Sequence, residues 1–187
     1  MHKYSVSVTH KFRGTGVALV TPFNNDGSID FTGLNKLINH VIDGGVEYLV
    51  AMGTTGESAT LSEQERFEII DFTLAASNGR VPVVGGFGGN NTMEIIHSIQ
   101  RYKSHCSGKK YIDAILIASP YYNKPSQEGI YQHYMAIDQV VEVPIILYNV
   151  PSRTGVNLEY ETVVRLAEAS DKIVAVKEAS GIMSQIA

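Results

Sequence analysis

A single lysine ends one of the most apolar segments of the sequence. Residues 173–176 read Ile-Val-Ala-Val, which is typical of a short buried strand, and Lys177 follows them directly. Removing an ammonium group from water lowers its pKa and increases the fraction of free amine at neutral pH. A free amine attacks a carbonyl carbon and forms a Schiff base. Lys177 is therefore a candidate nucleophile, although a lysine at a strand end can equally extend its ammonium group to solvent.

Polar side chains that suit such chemistry follow other apolar segments. The turn Gly53–Gly56 offers backbone N–H groups that could bind a carboxylate, and Thr54 and Thr55 add hydroxyls. Tyr148 ends a buried run, so its phenol needs a partner or a role in proton transfer. The guanidinium of Arg153 matches a substrate carboxylate. The plainer interpretations are an ordinary loop, a core tyrosine and a solvated arginine. Taken together, these groups fit Schiff-base chemistry on a 2-keto acid.

Six short apolar segments supply the framework for these side chains. They begin about 30 residues apart, and a strand followed by a helix accounts for that spacing. Continuous apolar runs of this kind are typical of parallel strands buried on both faces. The predicted strands are Val17–Val20, Tyr48–Met52, Val81–Val84, Ala114–Ala118, Pro144–Tyr148 and Ile173–Val176.

The segments between the strands carry helix signals. Apolar residues within Leu34–Ile42 recur at helical spacing and predict an amphipathic helix. Ser62 and Glu65 form a predicted capping box. Asn91 and Asn157 are predicted to begin two later helices.

A repeated strand–helix unit fits either a doubly wound sheet or a TIM barrel. The even spacing favours the barrel, as does the lack of a G-x-G-x-x-G motif after the first strand. The glycine-rich segment Gly85–Gly89 is only a weak phosphate-loop signal, because glycine also permits tight turns. We predict an α/β fold of the TIM (β/α)8 type, with residues 1–187 forming a single domain that contains about the first six units. Since a barrel needs eight strands, we expect the chain to be truncated at its carboxyl terminus.

Composition argues against several classes of partner. The 187 residues carry a formal net charge of −4 without a basic cluster, so a nucleic-acid surface is not expected. Cys106 is the single cysteine and permits no internal disulfide, which suits the cytoplasm; we predict that it is a loop residue. Residues 1–13 lack the apolar core of a signal peptide, and no apolar run reaches membrane-spanning length. A small molecule is the expected partner.

Three motifs resemble those of the pyruvate-dependent class I aldolase superfamily. They are Gly-Thr-Thr-Gly-Glu at 53–57, Tyr-Asn-Val-Pro-Ser-Arg-Thr-Gly at 148–155 and Val-Lys-Glu-Ala at 176–179. Ser-Arg-Thr-Gly at 152–155 and Tyr-Tyr-Asn-Lys-Pro at 121–125 resemble the dihydrodipicolinate synthase family specifically. The resemblance extends from about Gly14 to the last residue. It implies a (β/α)8 barrel, a homotetramer built as a dimer of dimers, and condensation of pyruvate with aspartate semialdehyde to 4-hydroxy-tetrahydrodipicolinate, on the route to diaminopimelate and lysine.

The resemblance also implies catalytic roles. Lys177 would form a covalent imine with pyruvate, so neither a further cofactor nor a metal is expected. Tyr148 would donate and accept protons beside it. Thr54 would link Tyr148 to Tyr122 in a proton relay, and Tyr122 would reach in from the partner subunit.

Substrate binding and its alternatives depend on fewer residues. Thr55 and the backbone beside Gly53 would hold the pyruvate carboxylate, and Arg153 would receive that of the semialdehyde. An N-acetylneuraminate lyase or another 2-keto acid aldolase of the superfamily shares the lysine and tyrosine but usually lacks an arginine at this position. An inactive truncated barrel, or a non-catalytic one, is the remaining alternative.

L-Lysine inhibits many members of this family, so the resemblance implies an effector site for it. Glu63 and Arg66 stand where inhibited members often have histidine, and we therefore expect weak-to-moderate sensitivity to lysine. The matching positions are Ser58, Ala59, Asn90, Glu94 and Tyr121.

Overall fold

The computed structural model describes residues 11–186 and contains six parallel strands. Residues 1–10 lie outside this range, so the prediction about a signal peptide in residues 1–13 falls mostly outside the described residues. Four of the strands shift by one or two residues from their predicted bounds, and the sixth, which was predicted to end at Val176, extends through Lys177 to Glu178. The strands are β1 (Gly16–Ala18), β2 (Tyr48–Ala51), β3 (Val83–Gly86), β4 (Ala114–Ala118), β5 (Ile145–Asn149) and β6 (Ile173–Glu178).

The strand order distinguishes the two folds that the sequence left open. The strands lie side by side in the order β1-β2-β3-β4-β5-β6, and every neighbouring pair is parallel. A doubly wound sheet reverses direction at a switch point, whereas a barrel adds each new strand to the same side. The prediction of a barrel-type fold with six strand–helix units is therefore confirmed.

Helices connect the strands, and four of them follow a residue whose side chain caps the first turn. Ser62 and Glu65 form the predicted capping box, and Asn91 accepts hydrogen bonds from the first turn of its helix. The prediction for Asn157 is wrong, because the helix begins at Tyr160 and the Asn157 side chain bonds to Asn149 instead. The helices are α1 (Phe31–Asp43), α2 (Glu63–Ser77), α3 (Thr92–His105), α4 (Gln127–Asp138), α5 (Pro151–Thr154), α6 (Tyr160–Ala169) and α7 (Met183–Ile186).

The sheet has two apolar faces with different neighbours. On the outer face, Leu49, Ile115 and Ile145 pack against the helices and are fully buried. On the inner face, Val84 and Leu116 form a second cluster. Successive strand residues alternate between the two faces, which is why the strands read as continuous apolar runs.

The last strand departs from the prediction of burial on both faces. Val176 is 41 % exposed, and Ala175 is also exposed. In residues 11–186, β6 has a neighbouring strand on one side only, so its other edge has no strand partner in that range. Cys106 lies in the turn directly after α3, as predicted, but it is buried.

Candidate active site

A cleft lies at the carboxyl ends of the strands, where barrel enzymes place their chemistry. Its volume is about 420 Å³, and loops after β2, β3, β4 and β5 contribute to its walls. We refer to it as the strand-end cleft. Its polar and aromatic lining includes Gly53, Thr54, Tyr121, Tyr148 and Arg153.

Lys177 and Tyr148 are neighbours at the ends of adjacent strands. The two residues are paired across β5 and β6, and the Lys177 Nζ atom lies 4.6 Å from the centroid of the Tyr148 ring. Tyr148 is buried, whereas Lys177 is half-buried at the open edge of the sheet. The two side chains thus lie side by side, although Lys177 is not among the residues that line the strand-end cleft. The strand around Lys177 is less buried than its composition suggested.

The turn after β2 has the form that anion binding requires. Thr54–Gly56 form a short 3-10 helix that follows the extended residue Gly53. The N–H groups of Thr54 and Thr55 open this helix and so have no acceptor inside it. Both threonines are exposed, and Thr54 lines the strand-end cleft. The Thr21 hydroxyl donates to the Gly56 carbonyl at 2.7 Å and fixes the turn from behind.

Close packing of two backbones holds this turn against β3. A Cβ atom at Gly86 would collide with the carbonyl group of Met52, so only glycine allows the strand ends to approach this closely. Met52 itself has φ +58°, a strained value for a residue with a side chain. Strained backbone of this kind is concentrated at functional sites.

The loop after β4 presents Tyr122 to solvent. This side chain is 86 % exposed, and the backbone of Tyr122 has φ +71°. The Tyr122 N–H group donates to the Thr154 carbonyl, which ties the loop to α5. Within residues 11–186, no hydrogen bond joins the hydroxyls of Tyr122, Thr54 and Tyr148, so the predicted relay is not assembled by these residues alone.

Arg153 lies on the short helix α5 after β5. Proline at the first position of this helix has a fixed φ angle that suits a helix start, and Gly155 ends the helix in a left-handed conformation. The guanidinium lines the strand-end cleft and forms no ion pair with a carboxylate of the described chain. Its charge is therefore available to a substrate carboxylate.

The predicted effector positions divide between two neighbouring hollows. Ser58 and Ala59 line the strand-end cleft, whereas Asn90 and Glu94 line an adjacent cavity of about 220 Å³. Tyr121 lines both. Arg66 also lines both, and its Nε atom is buried without a hydrogen-bond partner among residues 11–186.

A polar network that the sequence analysis missed lies behind Lys177. The Asn149 Nδ2 atom donates to both carboxylate oxygens of Glu178, at 3.1 and 3.0 Å. Burial raises the pKa of Glu178, but hydrogen bonds from Asn149, Ser180 and Gln185 outweigh this effect and leave the pKa below its ordinary value. The signal in the sequence was an asparagine at the end of an otherwise apolar strand.

Residues 11–186 contain no group of three or more His, Cys, Asp or Glu side chains placed to hold a metal ion. No helix in that range is long and apolar enough to cross a membrane.

Comparisons with known proteins agree with this geometry. The model of the dihydrodipicolinate synthetase family matches residues 11–187. A 4-hydroxy-tetrahydrodipicolinate synthase from Flavobacterium psychrophilum is 51 % identical over 174 residues, which cover 93 % of this chain and 58 % of that protein. The chain thus spans less than two thirds of the length of this relative.

Two solved structures are similar in sequence and in fold. The chloride-inhibited dihydrodipicolinate synthase from Acinetobacter baumannii, complexed with pyruvate, has a TM-score of 0.85 and 46 % identity, and the match covers 92 % of this chain and 57 % of that one. A monomeric dihydrodipicolinate synthase variant has a TM-score of 0.88 and 39 % identity, with 95 % and 57 % covered. By sequence, fold and the matched family model, the chain belongs to the dihydrodipicolinate synthetase family.

Proposed function

We propose that this chain carries the imine-forming part of a synthase that condenses pyruvate with aspartate semialdehyde to 4-hydroxy-tetrahydrodipicolinate. The observation that carries the proposal is the pairing of Lys177 with Tyr148 across β5 and β6. It places an amine beside a phenol at the mouth of a barrel-type fold. The names of the relatives, and the pyruvate complex of one of them, support the choice of substrates.

In the proposed reaction, the free amine of Lys177 attacks the C2 carbonyl carbon of pyruvate. Loss of water gives a protonated imine on Lys177. The imine withdraws electrons from the adjacent methyl group, so a proton can leave from it. The resulting enamine carbon forms the new bond to the aldehyde carbon of the semialdehyde, whose oxygen takes up a proton. The amino group of the semialdehyde then attacks the re-formed imine carbon, which closes the ring, and the bond from that carbon to the Lys177 nitrogen breaks to release the free amine. These proposed steps use no separate organic cofactor or metal.

We propose that Tyr148 exchanges these protons and that Thr54 and Tyr122 connect it to solvent. Positioned acid–base groups of this kind contribute about 10²–10⁴-fold to rates. The exposure of Tyr122 supports a contribution across a subunit boundary, because its hydroxyl has no partner within residues 11–186. The relay therefore depends on a dimer in which each Tyr122 enters the site of the other subunit.

We assign the two substrate carboxylates to opposite sides of the strand-end cleft. The opening N–H groups of the 3-10 helix at Thr54–Gly56, with the Thr55 hydroxyl, suit the pyruvate carboxylate. The unpaired guanidinium of Arg153 suits the carboxylate of the semialdehyde. Arg153 also favours the synthase over an N-acetylneuraminate lyase, as expected from the sequence.

For the whole protein we propose a homotetramer in the cytoplasm, with the dimer as its catalytic unit. The monomeric variant among the similar structures shows that assembly differs within the family. We also propose that L-lysine binds at the junction of the strand-end cleft and the adjacent cavity, with weak-to-moderate inhibition. Tyr121 lines both hollows and would sense a ligand in either.

Borohydride trapping tests the proposal directly. The chain is incubated with pyruvate, reduced and digested, and the modified lysine is identified by peptide mass mapping. We expect the adduct on Lys177. Lys172 is a poor alternative because its Nζ atom is already bonded to the carbonyl groups of Asp138 and Val141. An adduct on Lys172 or on the exposed Lys124 would contradict the assignment.

Substrate choice is tested by a second assay. Turnover with pyruvate and aspartate semialdehyde is compared with cleavage of N-acetylneuraminate. We expect condensation in the first assay and no cleavage in the second. Cleavage without condensation would favour the lyase.

A further inference from the structure

Strand geometry alone would turn Lys177 away from Tyr148. Ile173 belongs to the outer cluster that packs against the helices. Because side chains alternate along a strand, a residue four positions further on should face the same side. Lys177 stands four positions after Ile173, yet it lies over the ring of Tyr148, which belongs to the inner cluster. Something between these two residues reverses the direction of the side chains.

A β-bulge at Val174 produces this reversal. Ile145 pairs with Ile173, but the next residue of β5, Ile146, pairs with Ala175 rather than Val174. One residue of β6 is therefore extra, and Val174 packs against the inner cluster. After the bulge, Tyr148 pairs with Lys177. Bulges are rare between parallel strands and are enriched beside active sites, where they redirect a side chain.

Hydrogen bonds beyond Lys177 fix the bulged register. Asn149 pairs with Glu178 on the outer face, and its Nδ2 atom donates to both carboxylate oxygens. The Asn149 Oδ1 atom accepts from the Leu158 N–H group at 2.9 Å, so the amide cannot rotate freely. Asn149 is 1 % exposed, and its Nδ2 atom also donates to the Asn157 Oδ1 atom at 2.8 Å. Loss of the Glu178 carboxylate would therefore leave one of the two Nδ2 hydrogens without an acceptor, which is costly at a buried position.

We propose that Asn149 and Glu178 are positioning residues that select the bulged register and thereby turn Lys177 toward Tyr148, which lines the strand-end cleft. The competing straight register would pair Tyr148 with Val176 and Asn149 with Lys177. It would turn the amine outward and bring an apolar valine inward. In that register the carboxylate of Glu178 faces inward, away from Asn149, so the network opposes the slip. The role assigned to the network rests on the proposed imine function of Lys177.

The central variant is Glu178→Gln, which keeps the shape of the side chain and removes its charge. Two readouts are measured on the full chain. The first is the rate of borohydride trapping of pyruvate at Lys177. The second is the nuclear Overhauser contact between the Lys177 side chain and the Tyr148 ring, which does not depend on catalysis. We expect both to fall, the trapping rate by about tenfold or more, since hydrogen bonds to a charged acceptor bias the register by at least that factor.

Deletion of Val174 provides the rescue. Without Val174, strict alternation from Ile173 already places Lys177 on the inner face, and the competing register no longer exists. The deletion alone should therefore preserve the Lys177–Tyr148 contact. Combined with Glu178→Gln, it should restore both readouts. Gln185→Ala is the matched control, because it removes a hydrogen bond to Glu178 from α7, together with bonds to Asn157 and Leu158, but neither bond from Asn149 to Glu178. Both readouts should stay near the wild-type values in this control.

The outcomes separate this proposal from the proposed function. A native Lys177–Tyr148 contact in Glu178→Gln would overturn the positioning role, as would its loss in the Val174 deletion alone. Loss of the contact in Glu178→Gln without rescue by the deletion would indicate general loosening of β6 and would also overturn it. If the wild-type chain traps no pyruvate while the contacts change as expected, the proposed function fails and the positioning role stands.

Discussion

The Asp71 cluster and the strand-end cleft both gather polar side chains, but they differ in how completely these are paired. The Asp71 cluster consists of Asp71 on α2 with Tyr102, His105 and Lys109 on α3 and the segment that follows it. The Asp71 carboxylate accepts from His105 Nε2 at 2.8 Å, from Tyr102 Oη at 3.2 Å and from Lys109 Nζ at 3.2 Å. Each of these polar groups has a partner, and the cluster joins two helices.

In the strand-end cleft the corresponding groups have no such partners. Within residues 11–186, the Thr54 and Tyr148 hydroxyls form no hydrogen bond, and the Arg153 guanidinium forms no ion pair. Polar groups that pair with one another contribute stability, whereas unpaired groups on rigid strand ends remain available to a ligand. We therefore expect substitutions in the cleft to change chemistry and substitutions in the Asp71 cluster to change stability.

The largest expected effect comes from Lys177→Ala. Removal of the amine should abolish trapping of pyruvate, because no imine can form. The free energy of unfolding should change by less than about 1 kcal/mol, since the lost contact is a partly exposed cation–π interaction. Trapping and urea denaturation measure the two effects. A normal yield of the borohydride adduct in this variant would contradict the role of Lys177 and, with it, the expectation that substitutions in the cleft change chemistry.

Tyr148→Phe tests the phenol at the same site. Loss of a positioned proton carrier should slow turnover about 10²–10⁴-fold, which corresponds to roughly 3–5 kcal/mol of activation free energy. Tyr102→Phe is the control, because the buried Tyr102 hydroxyl donates to the Asp71 carboxylate at 3.2 Å and belongs to the Asp71 cluster. The control should lose about 1 kcal/mol of stability and retain its rate. Equal rate losses in the two variants would contradict the role of Tyr148.

His133 is a buried histidine that belongs neither to the strand-end cleft nor to the Asp71 cluster. Burial lowers the pKa of His133 to about 4. Since the pKa is lower in the folded state, the resulting stability is present above the unfolded value of about 6.5 and is lost as the pH falls toward 4. The loss should reach about 3 kcal/mol and be absent in His133→Asn. Urea denaturation above pH 6.5 and near pH 4 measures this loss of unfolding free energy. The exposed His97→Asn is the control. An unchanged pH dependence in His133→Asn would exclude this histidine as the cause.

The smallest expected effect is that of Asp71→Asn, at about 1–2 kcal/mol of unfolding free energy. Burial raises the pKa of Asp71, but hydrogen bonds from His105 and Lys109 outweigh burial and hold the pKa below its ordinary value. The contribution is therefore present above about pH 3.9 and is lost as the pH falls through the folded pKa. Denaturation at neutral and acid pH measures this, and imine trapping should not change. Loss of trapping without loss of stability would contradict the expectation that the Asp71 cluster affects stability and the strand-end cleft affects chemistry.

The sequence specified the framework because local patterns control it. Apolar runs about 30 residues apart predicted the strands and their order. Side-chain capping groups predicted helix starts at Ser62 and Asn91, since each bonds within its own first turn. Asn157 does not begin a helix, because its Oδ1 atom accepts a hydrogen bond from Asn149, which lies on a strand eight residues earlier in the chain. A local rule does not detect a partner in another element.

The sequence by itself determined which residue types stand at the strand ends, including the amine, the phenols and the arginine. Only the tertiary structure decided which of them meet and which way they face. Alternation counted from Ile173 sends Lys177 to the outer face, and the bulge at Val174 reverses that result. The physical reason is that a strand has a period of two, so one extra residue inverts every side chain beyond it. Whether a strand contains that extra residue depends on its pairing with a neighbouring strand. The residue pattern within the strand does not predict the bulge.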